Sequence, residues 1–377
     1  MDSNLTRLHA LPAQFAARPV RQLKTEKPVW IFGAGQFGRD VCAVLQAQGF
    51  DVQGFIQTKS GTQQAMGVQI LDWQQWATVR FDVQLVIGAF NRGMPLDELG
   101  GIARAAGASD IFMPWDIYNQ FEAQMGWRYW LGVPQTILRG LQAIDRAFQL
   151  LADETSRRCL VDICAFRLGL NPEYASFQHP DNQYFNALTL DPLGRSDVQF
   201  SDGGAYSGDT FMEFCSLANV TDAYLFEPDG DNFRALVRNV SPSQCKIMCL
   251  PLALADSYAM LNFEAGAGEG AALSDAGTVH VTAVALDDVL CGRNVNFIKL
   301  HVEGAEAQAL NGARSLIRRS RPIWQSLRIT ARKPFGHFLN WWRLCARNMI
   351  STFASITSIV LTLCFTQSSV DSSANYS

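Results

Sequence analysis

Two stretches of the chain repeat one pattern, in which short apolar runs alternate with longer segments that carry apolar residues at helical spacing. Such runs, bounded by glycine-rich turns, are typical of parallel strands connected by helices. In the first stretch the predicted strands are Val29–Phe32, Val52–Ile56, Val83–Ile87 and Asp110–Met113. In the second they are Val198–Ser201, Ala223–Phe226, Lys246–Leu250 and a strand that begins at Phe297. The pattern predicts an α/β protein with two Rossmann-like, doubly wound sheets.

The turn after the first strand of the second stretch has the composition of a nucleoside-binding turn. Gly203 and Gly204 permit a close approach of the backbone to a ligand and allow positive φ angles. A helix is predicted to begin at Asp209, whose carboxylate suits a helix N-terminus. The next strand ends at Glu227, 19 residues after Gly208, and an acid about 20 residues after such a turn binds a ribose hydroxyl. The spacing therefore predicts a nucleoside site.

The charges around this turn favour a cationic ligand over a pyrophosphate. No lysine or arginine stands beside the turn in the sequence, whereas five acids lie in it and after the next strand. They are Asp202, Asp209, Glu227, Asp229 and Asp231. S-adenosylmethionine carries a sulfonium, an ammonium and a ribose diol, so we predict that the site holds this cofactor.

Three segments, in this order, resemble the FkbM-type S-adenosylmethionine-dependent methyltransferases: DGGAYSGDT at 202–210, FEPDGDNF at 226–233 and FIKLHVEGAEAQALNGARSLI at 297–317. The resemblance spans about 181–327 and implies a class I methyltransferase fold that methylates a hydroxyl, with a sugar of a polysaccharide as the expected acceptor. Leu254 joins the expected cofactor site because ligands bind at the carboxyl ends of strands in open α/β sheets. The expected cofactor-binding residues are Asp202, Gly203, Gly204, Ala205, Tyr206, Gly208, Asp209, Thr210, Glu227, Pro228, Asp229, Phe233 and Leu254.

The third segment supplies the candidate catalytic residues, because polar side chains follow its apolar strand at the sheet edge. They are Lys299, His301 and Glu303. The family that the segment resembles usually has an acid where this chain has His301. A histidine is a base near neutral pH, so His301 either accepts the hydroxyl proton or marks a site that has lost activity. Alternatively, Lys299 and His301 are polar strand-end residues without a catalytic role. No metal site is predicted.

The first stretch carries GAGQFG at 33–38, a GxGxxG pattern between a strand and a helix. Its second strand ends in Gln57 rather than in an acid, which argues against NAD. With VQGFIQ and LVIGAFNRG, this segment resembles the N-terminal domain of PglD-type sugar acyltransferases, and the resemblance implies a nucleotide-sugar site. Amides at a helix N-terminus hold phosphate, so Gly33, Gly35 and Gly38 are the candidate binding residues. Alternatively, this domain only packs and mediates assembly.

The predicted domains are an N-terminal arm or weak amphipathic helix at 1–27, a Rossmann-like nucleotide or nucleotide-sugar domain at 28–118, a helical connector at 119–180, a methyltransferase domain at 181–327 and an atypical tail at 328–377. In the connector, Trp127, Tyr129 and Trp130 are core residues or line an acceptor groove, and His179 is a base or a surface residue. The valines at 279–284 predict a hairpin, after which Asp287 and Asp288 are expected to cap the following helix.

The composition excludes some classes of function. The net charge is −4, so no nucleic-acid-binding surface is indicated. Nine cysteines without a CxxC pair predict a reducing compartment. The N-terminal residues lack an uninterrupted apolar core of signal-peptide length, so we expect a cytoplasmic protein without a membrane partner.

The tail after Leu327 departs from the family pattern, since no Asp or Glu occurs between Glu306 and Asp371. Three interpretations remain open: a transmembrane helix at Met349–Phe365, a divergent pair of strands, or a shift of reading frame near Leu327, which we favour. If the frame is shifted, translating the gene one nucleotide out of phase beyond Leu327 restores polar sequence that contains Tyr and Asp.

Three functions follow from these observations. The leading one is S-adenosylmethionine-dependent O-methylation of a sugar or glycan precursor. The second is a nucleotide-sugar-binding or assembly protein whose methyltransferase domain no longer turns over, as His301 and the tail suggest. The third is an NAD-dependent oxidoreductase built on GAGQFG, against which Gln57 argues.

Overall fold

The computed structural model describes residues 2–58, 64–79, 81–89, 95–125, 134–149, 151, 154–172, 184–185, 190–191, 193–194, 196–264, 272–273, 277–302 and 305–326. The chain divides into two compact units. Unit 1 comprises residues 1–141 and 161–177, and unit 2 comprises residues 142–160 and 178–377.

Unit 1 alternates strands and helices as the apolar pattern predicts. Its elements are α1 (Ser3–Ala17), β1 (Val29–Phe32), α2 (Gln36–Ala47), β2 (Val52–Gln57), β3 (Gln64–Ala65), β4 (Val68–Asp72), α3 (Trp73–Val79), β5 (Gln84–Ile87), α4 (Leu96–Ala105), β6 (Asp110–Phe112), α5 (Pro114–Gln120) and α6 (Glu122–Met125). Helices α7 (Pro134–Phe148) and α8 (Glu154–Arg167) follow, and the division between the units falls within each of them.

The sheet of unit 1 has the strand order β3-β4-β2-β1-β5-β6. All pairs are parallel except the short antiparallel pair of β3 and β4. Every residue of β1 and β5 is buried, and all of them except Gln84 are apolar, which is why the two strands lack the alternation of apolar and polar residues that a half-exposed strand shows. The strand order reverses between β1 and β5, so the carboxyl ends of these two strands form the topological switch point of the sheet.

The N-terminal segment is tied to unit 1 by arginine side chains. Arg18 pairs with Asp116, and Arg21 Nη2 lies 2.6 Å from Asp110 Oδ1. Asp116 is buried, and burial raises the pKa of its carboxyl although Arg18 and the backbone N–H of Met113 lower it. The helix that we predicted for this arm is α1, with Asp2 as its N-cap.

Unit 2 contains the glycine turn predicted to bind a nucleoside. Its elements are β7 (Val198–Gly203), α9 (Asp209–Leu217), β8 (Val220–Phe226), α10 (Gly230–Val240), β9 (Lys246–Leu250), β10 (Ala253–Leu254), β11 (Ala259–Glu264), β12 (Ala272–Leu273), β13 (Val279–Val284), α11 (Leu286–Val289), β14 (Phe297–Leu300), α12 (Glu306–Asn311), α13 (Arg314–Ser320) and β15 (Ile323–Ser326).

The main sheet of unit 2 is parallel throughout its described strands, in the order β15-β14-β7-β8-β9. Its switch point lies between β7 and β14. Apolar side chains cover both faces, one set with α12 and α13 and the other with α9 and α10. The prediction of an α/β fold with two Rossmann-like sheets is therefore confirmed.

A second sheet of unit 2 joins β10, β13, β11 and β12 in that order. The predicted hairpin corresponds to the antiparallel strands β11 and β13. The predicted role of Asp287 was wrong. Its carboxylate does not cap α11 but accepts the backbone N–H groups of Ser315 and Leu316, 2.8 and 2.7 Å away, at the start of α13. A cap supplied by another element satisfies the same unpaired amides as a local one.

Among the described residues no helix combines the length and the apolar character that a membrane crossing requires. The predicted span at Met349–Phe365 and the rest of the tail after Leu327 lie outside those residues.

Candidate functional site

The turn between β7 and α9 is built by glycines in conformations that other residues avoid. Gly204 has φ +77°, and a Cβ there would lie 1.9 Å from the carbonyl oxygen of His301. Gly208 has φ +84° and precedes α9. The backbone N–H groups of Gly204 and Ala205 both donate to the carbonyl of Phe226, at 3.0 and 2.9 Å. The turn is thereby fixed to the end of β8.

Glu227 stands at the end of β8, where the spacing placed it, and braces this turn. Its Oε2 accepts the N–H of Tyr206 at 2.8 Å, and its Oε1 accepts the N–H of Asp229 at 2.9 Å. The side chain is 5% exposed, and burial raises the pKa of its carboxyl, opposed by these two N–H groups and by the side chain of Asn232. A carboxylate has about four lone-pair sites, so these partners leave room for a ligand hydroxyl.

A buried ion pair joins the two strands of the switch point. Lys299 of β14 faces Asp202 of β7 in the sheet register, and its Nζ lies 2.8 Å from Asp202 Oδ1. The same ammonium donates to the carbonyl of Gly204 at 2.7 Å. Asp202 is fully buried, and burial raises its pKa to about 6 despite the cation of Lys299. Its Oδ2 has no hydrogen-bond partner in the described part of the chain.

This pair corrects the sequence-based charge argument. We expected no cation beside the turn, but Lys299, 2% exposed, lies against it from a strand that is distant in sequence. The ring of acids is also smaller than predicted. Asp209 is exposed, and Asp229 uses Oδ1 to accept the N–H groups of Asp231 and Asn232 as the cap of α10. Glu227 is thus the predicted acid that borders the turn without a cationic partner of its own among the described contacts.

His301 follows β14 at the same sheet edge. Its backbone N–H donates to the carbonyl of Gly203 at 2.8 Å. Its Nδ1 lies 3.0 Å from the hydroxyl of Tyr184, and the ring of Tyr184 lies 5.5 Å from Lys299 Nζ. The structure therefore brings two of the predicted catalytic residues, Lys299 and His301, to the glycine turn. The third, Glu303, lies outside the described residues, as do His179, Trp127, Tyr129 and Trp130.

The other predicted cofactor residues differ in their burial and in how close they lie to the turn. Leu254 of β10 is buried and lies where a Cβ on Gly203 would be 2.6 Å from its Cδ1. Ala205 and Thr210 are buried, and Pro228 is half-buried. Phe233 packs on the apolar cluster beneath α9 and α10. Leu254 is therefore in contact range of the turn, whereas Phe233 contributes to the core.

Sequence reasoning missed the contacts of Tyr184 with His301 and Lys299. The sequence did contain a signal for the buried ion pair. Lys299 interrupts an apolar strand, and both of its neighbours in the strand are buried. A lysine in such a position requires a buried anion. Nothing in the local sequence predicted the hydrogen bond between Tyr184 and His301, which are 117 residues apart.

The glycine turn of unit 1 differs in its surroundings. Gly33 has φ +112°, and Cβ atoms at Gly33 and Gly38 would collide with Ala89 and with the carbonyl of Gly33. A Cβ at Gly35, the N-cap of α2, would have no atom within 4 Å. Gly33 and Gly38 therefore serve packing, while Gly35 is the position open to a ligand. β2 ends at Gln57, as the pattern indicated.

The residues around the turn of unit 2 fit S-adenosylmethionine. The unpartnered Oδ2 of Asp202 and the remaining acceptor capacity of Glu227 match a ligand rich in hydrogen-bond donors. In the described ranges, no group of three His, Cys, Asp or Glu side chains could hold a metal ion.

Comparisons with known proteins agree with this geometry. The crystal structure of methyltransferase FkbM from Methylobacillus flagellatus KT superposes with a TM-score of 0.71 and 17% sequence identity, covering 92% of this chain and 94% of that chain. Ligand-free aspartate transcarbamoylase from Trypanosoma cruzi, 12% identical over 95% of this chain and 90% of its own, gives a TM-score of 0.18, too low to indicate a common fold. No curated protein matches the sequence.

The family model described as the methyltransferase FkbM domain matches residues 202–356. The match begins at Asp202 and continues past Leu327, where we predicted the family pattern to end. The proposed shift of reading frame remains a prediction, because the tail lies outside the described residues. The N-terminal likeness to PglD-type acyltransferases also remains a prediction. Residues 202–356 therefore resemble an FkbM methyltransferase domain, and the fold of the chain is similar to that of a crystallised FkbM methyltransferase.

Proposed function

We propose that this protein transfers a methyl group from S-adenosylmethionine to a hydroxyl of a sugar or glycan precursor. The observation that carries the proposal is the placement of Glu227. Its buried carboxylate ends β8 and braces the glycine turn through the N–H of Tyr206. A carboxylate at this point of a Rossmann-like unit is positioned to accept hydrogen bonds from a ribose diol.

The residues that would hold the cofactor divide by chemistry. Glu227 would accept the ribose hydroxyls, and the backbone at Gly203 and Gly204 would face the ligand without a side chain in the way. Leu254 would supply apolar contact to the adenine. When bound, S-adenosylmethionine supplies a methyl group activated by the positive charge on sulfur. Orientation of the acceptor and exclusion of water then provide much of the rate.

The chain contributes a base at His301. The imidazole of His301 would accept the proton of the acceptor hydroxyl as the new O–C bond forms and the bond between sulfur and the methyl carbon breaks, and such proton transfer is worth roughly 10²–10⁴-fold in rate. Lys299 does not share this role in our proposal. Its ammonium is engaged by Asp202 and Gly204, so it holds the two strands and the turn together.

Unit 1 supports the sugar assignment. Gly35 leaves open space at the N-terminus of α2, where backbone amides would hold a phosphate of a nucleotide-sugar. Gln57 at the end of β2 lacks the negative charge that an NAD ribose requires. We place the protein in the cytoplasm as part of this proposal, because the nine cysteines of the sequence form no CxxC pair and their number is odd.

Calorimetric titration tests the cofactor assignment. We expect S-adenosylmethionine and S-adenosylhomocysteine to bind, and Glu227→Ala to weaken both by about tenfold or more because hydrogen bonds to a buried carboxylate are lost. Glu227→Gln, which keeps the side-chain length, should weaken them less. Asp231→Asn is the matched control, since Asp231 is an exposed acid that pairs with Arg234. Binding of NADH in place of both sulfur ligands would overturn the proposal.

The alternative is a nucleotide-sugar-binding protein whose methyltransferase domain does not turn over. Its specific support is the histidine at 301, where the family usually has an acid. If wild type binds S-adenosylmethionine and a UDP-sugar but transfers no methyl group, His301→Asp distinguishes the causes. A gain of transfer identifies His301 as the defect, and continued inactivity points to the tail.

A further inference from the structure

His301 is held by a hydroxyl that the sequence did not reveal. Its Nδ1 lies 3.0 Å from the hydroxyl oxygen of Tyr184, whose side chain is buried at 9% exposure. The next residue, Phe185, stacks on Phe214 of α9, with ring centroids 4.5 Å apart and planes 5° from parallel. This packing anchors Phe185 and with it the backbone of Tyr184, so the hydroxyl presents a fixed partner to the imidazole.

The ring of Tyr184 also contacts Lys299. Lys299 Nζ lies 5.5 Å from the centroid of its ring, within the range of a cation–π contact. That ammonium lies 2.8 Å from Asp202. A continuous set of contacts therefore runs from Asp202 on β7 through Lys299 on β14 and the ring of Tyr184 to His301.

We propose that Tyr184 is a positioning residue for His301, an inference that rests on the proposed function. A ring nitrogen bound to a protein hydroxyl does not face the substrate, so Nε2 is the nitrogen that meets the acceptor. For Nε2 to take the hydroxyl proton, Nδ1 must carry the ring proton and donate it to Tyr184 Oη. The tyrosine hydroxyl thus selects both the orientation and the tautomer of the base.

The charges around His301 stay in place when this hydroxyl is removed. Lys299 lies on β14 just before it, Asp202 faces Lys299 from β7 and interacts electrostatically with His301, and Glu306 at the start of α12 accepts the N–H of Val302 at 3.2 Å. Tyr184→Phe keeps the ring against Lys299 and leaves these three groups unchanged. The substitution therefore isolates the hydrogen bond to the imidazole.

The experiment combines kinetics with nitrogen-15 NMR of the histidine ring. We expect Tyr184→Phe to lower kcat for methyl transfer about tenfold while KM and Kd for S-adenosylmethionine stay within about twofold. In wild type, the ring nitrogens of His301 should report a proton on Nδ1. In Tyr184→Phe they should report a mixture of tautomers. The signals are assigned by their loss in His301→Gln.

Tyr224→Phe is the matched control, because it removes the hydroxyl of another buried tyrosine of unit 2, one that accepts from Arg293 at 3.4 Å. The inference is overturned if Tyr184→Phe behaves as this control does, or if the ring spectrum of His301 is the same in Tyr184→Phe as in wild type. A wild-type spectrum with the proton on Nε2 overturns the tautomer assignment. If wild type transfers no methyl group but the His301 spectrum still responds to Tyr184→Phe, the proposed function fails and the positioning role stands.

Discussion

The two units share an arrangement of parallel strands but differ in the residues at the switch point of the sheet. In each, a glycine turn follows a central strand, and the order of the parallel strands reverses beside it. In unit 1 the residue before the first glycine is Phe32, which faces Ile87 across the switch point. In unit 2 the corresponding residue is Asp202, which faces Lys299. Gln57 is the last residue of the second strand in unit 1, whereas Glu227 directly follows the second strand in unit 2.

The difference shows that the fold does not require charge at the switch point. At the switch point of unit 1 the facing residues Phe32 and Ile87 are both apolar, and Phe32 makes an edge-to-face contact with Trp73 at the end of the first strand. Unit 2 buries an aspartate, a lysine and a glutamate in the equivalent region, and burying charge costs free energy. We infer that unit 2 keeps these charged groups because they serve a binding site. In this inference the glycine turn of unit 2, rather than that of unit 1, carries the chemistry.

The largest expected effect comes from breaking the buried pair. Lys299→Met leaves the buried carboxylate of Asp202 without its cation, so we expect the free energy of unfolding at pH 7 to fall by about 3–5 kcal/mol in denaturant titration. The double variant Asp202→Asn/Lys299→Met should recover most of that loss, since no charge is then left buried. Ile87→Met in unit 1 is the comparison, with a cost below about 1.5 kcal/mol. Equal losses at Lys299 and Ile87 would remove the contrast between the units.

The pH dependence of stability should carry the signature of Asp202. Its pKa is about 6 in the folded chain and about 3.9 when unfolded, so between these values the folded state holds the additional proton. The contribution of Asp202 to the free energy of unfolding therefore falls as pH rises from 4 to 6, by about 3 kcal/mol. Denaturant titrations at stepped pH should show this slope in wild type and not in Asp202→Asn/Lys299→Met. Parallel profiles would contradict the prediction.

Substituting alanine for one glycine in each of the two glycine turns should give the smallest effects on stability and a direct comparison of the two units. Gly204→Ala forces a Cβ against the carbonyl of His301 at a φ of +77°, so we expect a loss of about 2 kcal/mol in thermal or denaturant unfolding. Gly35→Ala meets no atom within 4 Å and should change stability by less than about 0.5 kcal/mol. A large loss at Gly35 would show that the two turns are constrained alike.

Most of the fold followed from local pattern. Strand β9 was predicted at its observed bounds, and α9 begins at Asp209 as expected. Strand β8 begins at Val220, three residues before the predicted start, because the polar and partly buried Thr221 and Asp222 interrupt its apolar run. Apolar runs bounded by glycine turns determine such elements within a few residues, since burial of both sheet faces leaves little freedom.

The candidate site could be predicted from the sequence less completely than the fold, because its contacts depend on the register between strands that are distant in sequence. The Asp202–Lys299 pair requires β7 and β14 to be neighbours across the reversal of strand order. No local signal gives that register, and the charge around the turn was therefore predicted too negative. Glu227 was predicted correctly because its position depends on one βαβ unit, in which spacing alone fixes the geometry.

The depth of Lys299 has a practical consequence for labelling. At 2% exposure its amine is shielded from acylating reagents while β14 stays paired with β7. Lys24 and Lys246 are exposed and react under the same conditions. The rate at which Lys299 becomes acylated, measured by mass spectrometry, therefore reports how often the centre of the main sheet of unit 2 opens to water.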